Sequence, residues 1–302
     1  LYLTPSNRED FFTFTRMLIG QLRQVGKTHT AERYVTVMNS FGRFRRENEL
    51  LWEEVDSDLM VEYETYLKSR GVCPNTSSYY MRGLRAIYNR AVEKGKTVQR
   101  EPFKYVYTGI DKTIKRAVPL KVIRQIRDLD LTLFSTMDFA RDIFMFSFYT
   151  RGMSFIDMAY LKKKDLQGGT LSYRRQKTGQ QLFVKWEKPM QEIVDKYNTN
   201  GTPYLLPIIR DMNADIRRQY KNAAHLVNDK LKKLGEKLGL TVPLTSYVTR
   251  HGWASIARSR NIPLAIISEA MGHDSEKTTR IYLASLDTTS VDKANSRILK
   301  AL

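Results

Sequence analysis

The sequence of 302 residues has a single cysteine, Cys73, and only four histidines. One cysteine excludes a framework of internal disulfides, and the scattered histidines lack the neighbours and spacing of a metal site. No run of 18 apolar residues is present, and the most apolar stretch, residues 142–149, is short enough to be a buried helix. These absences exclude a disulfide-stapled secreted domain and a membrane-spanning protein, and we expect no metal or other cofactor.

Acidic residues are also few, with 32 Asp and Glu against 50 Lys and Arg, so the net charge is +18. The imbalance lies mainly in the second half: there are 17 basic and 13 acidic residues before residue 107, but 33 and 19 from there on. Such an excess favours a polyanionic partner, here nucleic acid. The N-terminus has no basic segment followed by an apolar one, so we expect no signal peptide and a cytoplasmic protein.

The length of 302 residues predicts two domains, and the apolar fraction of 42% with the aromatic fraction of 11% predicts that they are globular. From residue 7 to about residue 91 apolar residues recur every three or four positions, which predicts four amphipathic helices. The predicted starts of the second to fourth helices are Thr30, Asp56 or Ser57, and Pro74; the predicted stops are Gly71 and Gly95.

The second half mixes two periodicities. Helical spacing through Ile143 and Phe146 gives way to two β-like stretches, 170–175 and 182–186, joined by a turn at 176–179. Helical spacing then returns after Pro189 and continues to the end. We therefore predict a mainly α-helical fold with a small antiparallel β-sheet (α+β), with a helical domain at 1–106, an extended linker at 107–118 and a second domain at 119–302.

One set of polar residues is far more specific than the rest. Arg250, His273 and Tyr282 follow one another at separations of 23 and 9 residues, and Lys177 stands in the predicted hairpin turn. With the box at residues 148–161, these spacings resemble those of the tyrosine recombinases, the phage-integrase family. The four N-terminal helices are similar in pattern to the family's SAM-like core-binding domain.

The resemblance implies a role for each of these side chains. Tyr282 would attack a DNA phosphodiester and form a 3′-phosphotyrosine, which a 5′-hydroxyl can later religate without ATP. Arg250 would bind the non-bridging oxygens, because a planar guanidinium binds them in a bidentate manner. Lys177 would protonate the leaving 5′-oxygen, and His273 would hold a phosphate oxygen or help to position Tyr282. A lysine in a polar turn is usually only solvated, which is the alternative for Lys177.

The first arginine of the family is displaced in this sequence. If Asp157 matches the family's acidic residue, Ser154 stands where an arginine is usual, and Arg151 lies three positions upstream. Positions three apart share a helix face, so we expect Arg151 to be the functional first arginine. Its guanidinium should converge with Arg250, His273 and Tyr282 on one cleft. Asp157 would orient other groups, and Ser154 would be an accessory contact.

A second departure is Tyr247, three residues before Arg250, where the family usually has histidine. Its hydroxyl can donate to a phosphate, but with a pKa near 10 it is a poor general base at neutral pH. The identity of the proton acceptor therefore stays open. Both departures resemble the integrases of Bacteroides-type mobile elements.

The resemblance further implies site-specific strand exchange on duplex DNA, which the two domains would clamp. The working assembly would be a nucleoid-associated homotetramer on two DNA sites, with accessory DNA-bending proteins. An apolar stripe in the C-terminal tail is expected to dock on a neighbouring protomer; it comprises Val291, Ala294, Ile298, Leu299 and Leu302. The alternatives are a catalytically impaired DNA-binding accessory protein of the same fold and a type IB topoisomerase-like enzyme. Integration, excision, inversion and chromosome-dimer resolution remain open as biological roles.

Overall fold

A computed structural model of the chain describes residues 10–46, 48–111, 117–283, 296 and 299. The chain divides into two compact units, Leu1–Thr113 and Ile114–Leu302, called the N-terminal and C-terminal units below. The division falls within the predicted linker. The described residues are mostly helical with one small antiparallel sheet, which confirms the predicted fold class. In them, no helix combines the length and the apolar character needed to cross a membrane.

The N-terminal unit contains the four predicted helices, α1 (Phe11–Gln24), α2 (Thr28–Arg45), α3 (Ser57–Ser69) and α4 (Pro74–Glu93). Their apolar faces meet in an aromatic core in which Phe11, Phe41 and Trp52 are buried. The Asp56 side chain accepts the Leu59 amide at 2.9 Å and so caps α3 as predicted.

Two local predictions in this unit are wrong. Helix α2 begins at Thr28, two residues before the predicted Thr30. The first part of the predicted linker is folded onto the helices, because Glu64 accepts the Tyr107 amide at 2.8 Å and the Ser78 hydroxyl donates to the Gly109 carbonyl at 2.6 Å. The Asn75 side chain also accepts the Asp111 amide at 2.8 Å and donates to the Asp111 carbonyl at 3.1 Å, so residues 107–111 of the predicted linker are held on the helical unit.

The C-terminal unit contains eight helices and three strands among its described residues: α5 (Leu120–Arg127), α6 (Ser135–Tyr149), α7 (Phe155–Tyr160), β1 (Leu166–Gln167), β2 (Thr170–Arg174), β3 (Gln181–Lys185), α8 (Lys188–Asp195), α9 (Ile216–Lys237), α10 (Val248–Ser259), α11 (Leu264–Ala270) and α12 (Glu276–Tyr282). The sheet is antiparallel in the order β1-β2-β3, and Tyr173 lies opposite Leu182. The hairpin of β2 and β3 confirms the prediction, whereas the two-residue β1 is too short to show a period-2 pattern and was not predicted.

Helix α6 is the centre of this unit. It packs against α8, α9 and α10, and it is buried on all sides along residues 142–147. Its C-terminal end therefore lies at a fixed place beside α10, which carries Arg250. In the predicted docking tail, Val291, Ala294, Ile298 and Leu302 lie outside the described residues.

Candidate active site

The connection between α6 and α7 brings the backbone close to Arg250. Helix α6 ends at Tyr149, and the next turn contains two left-handed residues, Arg151 (φ 63°) and Gly152 (φ 74°). A Cβ at Gly152 would lie 2.7 Å from the Arg250 Cα, so only glycine permits this approach. Arg151 and Ser154 are thus not on one helix, and the prediction that they share a helix face is wrong because the left-handed turn intervenes.

Arg250 is the central buried cation of the site, with a relative exposure of 3%. Its Nη1 donates to the Gly152 carbonyl at 2.9 Å, and its Nη2 donates to the Met271 carbonyl. Nη2 also lies 2.8 Å from Nε2 of His273. Because a guanidinium can only donate, Nε2 must be the unprotonated acceptor in this bond.

His273 is held as a neutral imidazole. Burial, and after it the positive charges of Arg250, Arg175 and Lys177, together lower its pKa from 6.5 to about 3. Its Nδ1 lies 2.8 Å from Oγ1 of Thr279. Since Nε2 accepts from Arg250, the single proton of the ring lies on Nδ1 and is donated to Thr279.

Arg175 is a second buried guanidinium, 6% exposed, that our sequence analysis did not identify as a functional residue. Its Nη1 donates to the Gly272 carbonyl, and its Nε lies 3.8 Å from the Asp157 carboxylate. A signal was available: Arg175 continues the alternation of Leu171 and Tyr173, which face the core from β2. An arginine at a core-facing strand position is unusual and marks a candidate for function.

Asp157 connects α7 with the tip of the hairpin. The Ser154 hydroxyl donates to its Oδ2 at 2.6 Å, and its Oδ1 accepts the Gln176 amide at 2.8 Å. Gln176 precedes Lys177, which is exposed in the turn between β2 and β3. Asp157 therefore holds the turn that carries Lys177, as expected of an orienting residue, and the Ser154 hydroxyl is used as a donor to Asp157.

Arg151 makes a different contact from the one we expected. Its guanidinium is exposed, and Nη1 donates to the Phe183 carbonyl on β3 at 3.2 Å. Its charge nevertheless reaches the buried Tyr173. The pKa of Tyr173 is raised overall, because burial and Asp157 raise it more than the positive charges of Arg250, Arg175 and Arg151 lower it. Arg151 is thus within electrostatic range of the site, but its hydrogen bond is to the hairpin rather than to the Arg250 cluster.

Tyr247 borders the Arg250 side chain from the solvent side. It is 49% exposed at the beginning of α10, and its ring packs edge-on against His251 with centroids 5.2 Å apart. Tyr247, Ser154 and Arg250 line a common cavity of about 200 Å³. Ser154 and Tyr247, the two residues that depart from the family pattern, therefore line the same cavity beside Arg250.

The predicted nucleophile, Tyr282, is the last residue of α12, and its side chain lies outside the described part of the structure. Three residues earlier, Thr279 is fully buried and contacts His273. Helix α12 also packs against α10 and α11, which carry Arg250 and lead to His273. The helix that ends in Tyr282 is thus attached directly to the arginine–histidine pair.

Comparisons with known proteins identify the family of the chain. The sequence model of the Phage integrase SAM-like domain matches residues 10–113, and that of the Phage integrase family matches residues 123–289. The chain belongs to the phage integrase family.

Among its relatives is tyrosine recombinase XerA of Pyrococcus furiosus, 30% identical over 139 residues, a match that spans 44% of this chain and 46% of that relative. Tyrosine recombinase XerC of Syntrophus aciditrophicus is 24% identical over 281 residues, 85% of this chain and 87% of that protein. A lambda integrase tetramer bound to a Holliday junction shares the fold, with a TM-score of 0.68 and 14% identity over 92% of this chain and 78% of that one.

Proposed function

We propose that the chain is a site-specific DNA recombinase that cleaves and rejoins strands through a 3′-phosphotyrosine intermediate. The observation that carries this proposal is the pair of buried guanidinium groups, Arg250 and Arg175, beside a neutral His273 in a member of this family. Asp157 offsets one of the two charges, and Lys177 adds a third at the hairpin. The site therefore has the positive charge that stabilises non-bridging oxygens while a phosphate is attacked.

In the proposed reaction the Tyr282 oxygen attacks phosphorus as the bond from phosphorus to the 5′-oxygen breaks. In net terms one proton passes from the phenol to the leaving 5′-oxygen, and Lys177 is the donor at that oxygen. Attack by the 5′-hydroxyl of a second strand reverses these steps and completes strand exchange. Arg250 and Arg175 stabilise the phosphate oxygens, with Tyr247 as a neutral donor from the cavity beside Arg250.

The displaced first arginine has two candidates. Arg151 lies three residues upstream of the family's position and is the arginine that we expected from the sequence, and its contact with β3 keeps it within range of the site. Arg175 is buried and donates to the carbonyl of Gly272, the residue before His273. This position favours Arg175 as the guanidinium that acts on the phosphate together with Arg250. Ser154, whose hydroxyl donates to Asp157, acts as a support for the hairpin more than as a phosphate contact.

The assembly that we propose is a homotetramer on two DNA sites, with DNA bound by both units and assisted by accessory DNA-bending proteins. The lambda integrase with this fold is described as a tetramer on a Holliday junction, which supports the assembly. The excess of basic residues from residue 107 onward supports DNA binding and action at the nucleoid. Ser154 and Tyr247 support a place among the integrases of Bacteroides-type mobile elements.

A nicked duplex that carries candidate sites from the flanking genome tests the proposal. We expect a covalent protein–DNA band in excess EDTA, its loss in Tyr282→Phe with DNA affinity retained, and a normal band in Tyr105→Phe, a control at an exposed tyrosine of the N-terminal unit. A normal adduct from Tyr282→Phe would refute the assignment of the nucleophile. Exchange between two sites, rather than simple relaxation of supercoils, separates a recombinase from a topoisomerase.

A further inference from the structure

The buried hydroxyl of Thr279 is a polar group for which the reaction described above has no role. Thr279 is fully buried in the middle of α12, and Oγ1 lies 2.8 Å from Nδ1 of His273. The other ring nitrogen, Nε2, lies 2.8 Å from Nη2 of Arg250. A continuous line of hydrogen bonds thus runs from the helix of the nucleophile, through the imidazole, to the arginine.

Only one distribution of protons satisfies both bonds of the ring. Arg250 has no acceptor, so Nε2 must be unprotonated, and a neutral ring then carries its proton on Nδ1. The opposite tautomer would set two donors, Nη2–H and Nε2–H, against each other at a buried site, which is costly. The hydroxyl oxygen of Thr279 is the acceptor that makes the Nδ1–H tautomer favourable.

We propose that Thr279 is a positioning residue that fixes His273 in the Nδ1–H tautomer, so that Nε2 orients the guanidinium of Arg250 toward the scissile phosphate. The importance for strand cleavage rests on the proposed function. The tautomer itself does not depend on it. Because Thr279 precedes Tyr282 by three residues in α12, the same bond attaches the helix of the nucleophile to the arginine that binds the phosphate.

Three variants separate positioning from simple packing. Thr279→Val keeps the branched shape and removes the acceptor, whereas Thr279→Ser keeps the acceptor and removes a methyl group. The matched control is Thr278→Val in the same helix, because the hydroxyl of Thr278 contacts Ser275 instead of the histidine.

The first readout is nitrogen NMR of the ring, in which chemical shifts distinguish a protonated from an unprotonated nitrogen. In the wild type and in Thr279→Ser we expect His273 to have a protonated Nδ1 and an unprotonated Nε2. In Thr279→Val, where the Nδ1–H group has lost its acceptor, we expect a measurable fraction of the ring to carry the proton on Nε2. A wild-type spectrum with the proton on Nε2 would overturn the proposal, whether or not the protein forms an adduct with DNA and whether or not Thr279→Val folds.

The second readout is the rate of adduct formation on the nicked duplex, with DNA affinity measured in parallel. Removal of a group that orients a metal-bound histidine costs about 10- to 100-fold in activity, and we expect a loss of the same order for Thr279→Val at this metal-free histidine. Thr279→Ser and Thr278→Val should stay within about 3-fold of wild type, well short of that loss. Equal losses in the valine and serine variants would assign Thr279 to packing. Absence of an adduct in the wild type would refute the proposed function and leave the NMR result to decide the tautomer.

Discussion

The neutral state of His273 is the most direct electrostatic consequence of the site, and it can be measured by titration. Its pKa is lowered from 6.5 to about 3, by burial and then by Arg250, Arg175 and Lys177. Between pH 6.5 and about 3 the unfolded chain binds a proton at this residue that the folded chain does not bind. The contribution of His273 to stability is therefore complete above pH 6.5 and is lost as the pH falls toward 3.

The size of the effect follows from the two pKa values. Each pH unit within that window changes the free energy of unfolding by ~1.4 kcal/mol, so lowering the pH from 8 to 5 should destabilise the fold by ~2 kcal/mol through this residue. Urea unfolding at the two pH values measures the change. In His273→Asn, which cannot titrate there, the pH dependence should be smaller by the same amount.

Proton NMR of the imidazole tests the same point without reference to stability. The resonance of His273, assigned by its absence from His273→Asn, should not shift between pH 8 and 5 in the folded protein. In concentrated urea it should titrate near the ordinary value of 6.5. A midpoint above about 5 in the folded protein would refute the argument, because the imidazole would then carry a proton on the nitrogen that accepts from Arg250.

Two further predictions concern the charges around the phosphate. Lys177→Ala should slow cleavage by roughly 10²–10⁴-fold. A substrate with a 5′-bridging phosphorothiolate should restore the rate, because its thiolate leaves without a proton. Absence of rescue would show that Lys177 only contacts the phosphate. Arg175→Ala should reduce the cleavage rate by about 10²–10³-fold and Arg151→Ala by less than about 10-fold. The rate is measured as single-turnover adduct formation, and thermal unfolding checks that each variant is folded. The reverse order of the two losses would return the role of first arginine to Arg151.

The helices and the hairpin were predictable because their signals are local. Apolar residues every three or four positions place α1 to α4, and an alternating stretch on either side of a polar turn places β2 and β3, whatever the rest of the chain does. The spacing of Arg250, His273 and Tyr282 is likewise a property of the sequence, and it sufficed to indicate the family. The chain between α6 and α7 was less predictable, since a left-handed residue other than glycine has no reliable sequence signal.

Only the tertiary structure decided which charges meet at the site. Arg151 and Arg175 are equally basic in the sequence, but the turn before α7 directs Arg151 to the Phe183 carbonyl. Arg175, the residue after β2, continues the alternation of that strand and is buried against Gly272. The protonation of His273 is also a tertiary property, because its pKa depends on burial and on cations that come from separate elements of the chain. Local pattern thus determined the elements and the reactive residue types, and long-range packing determined their electrostatic state.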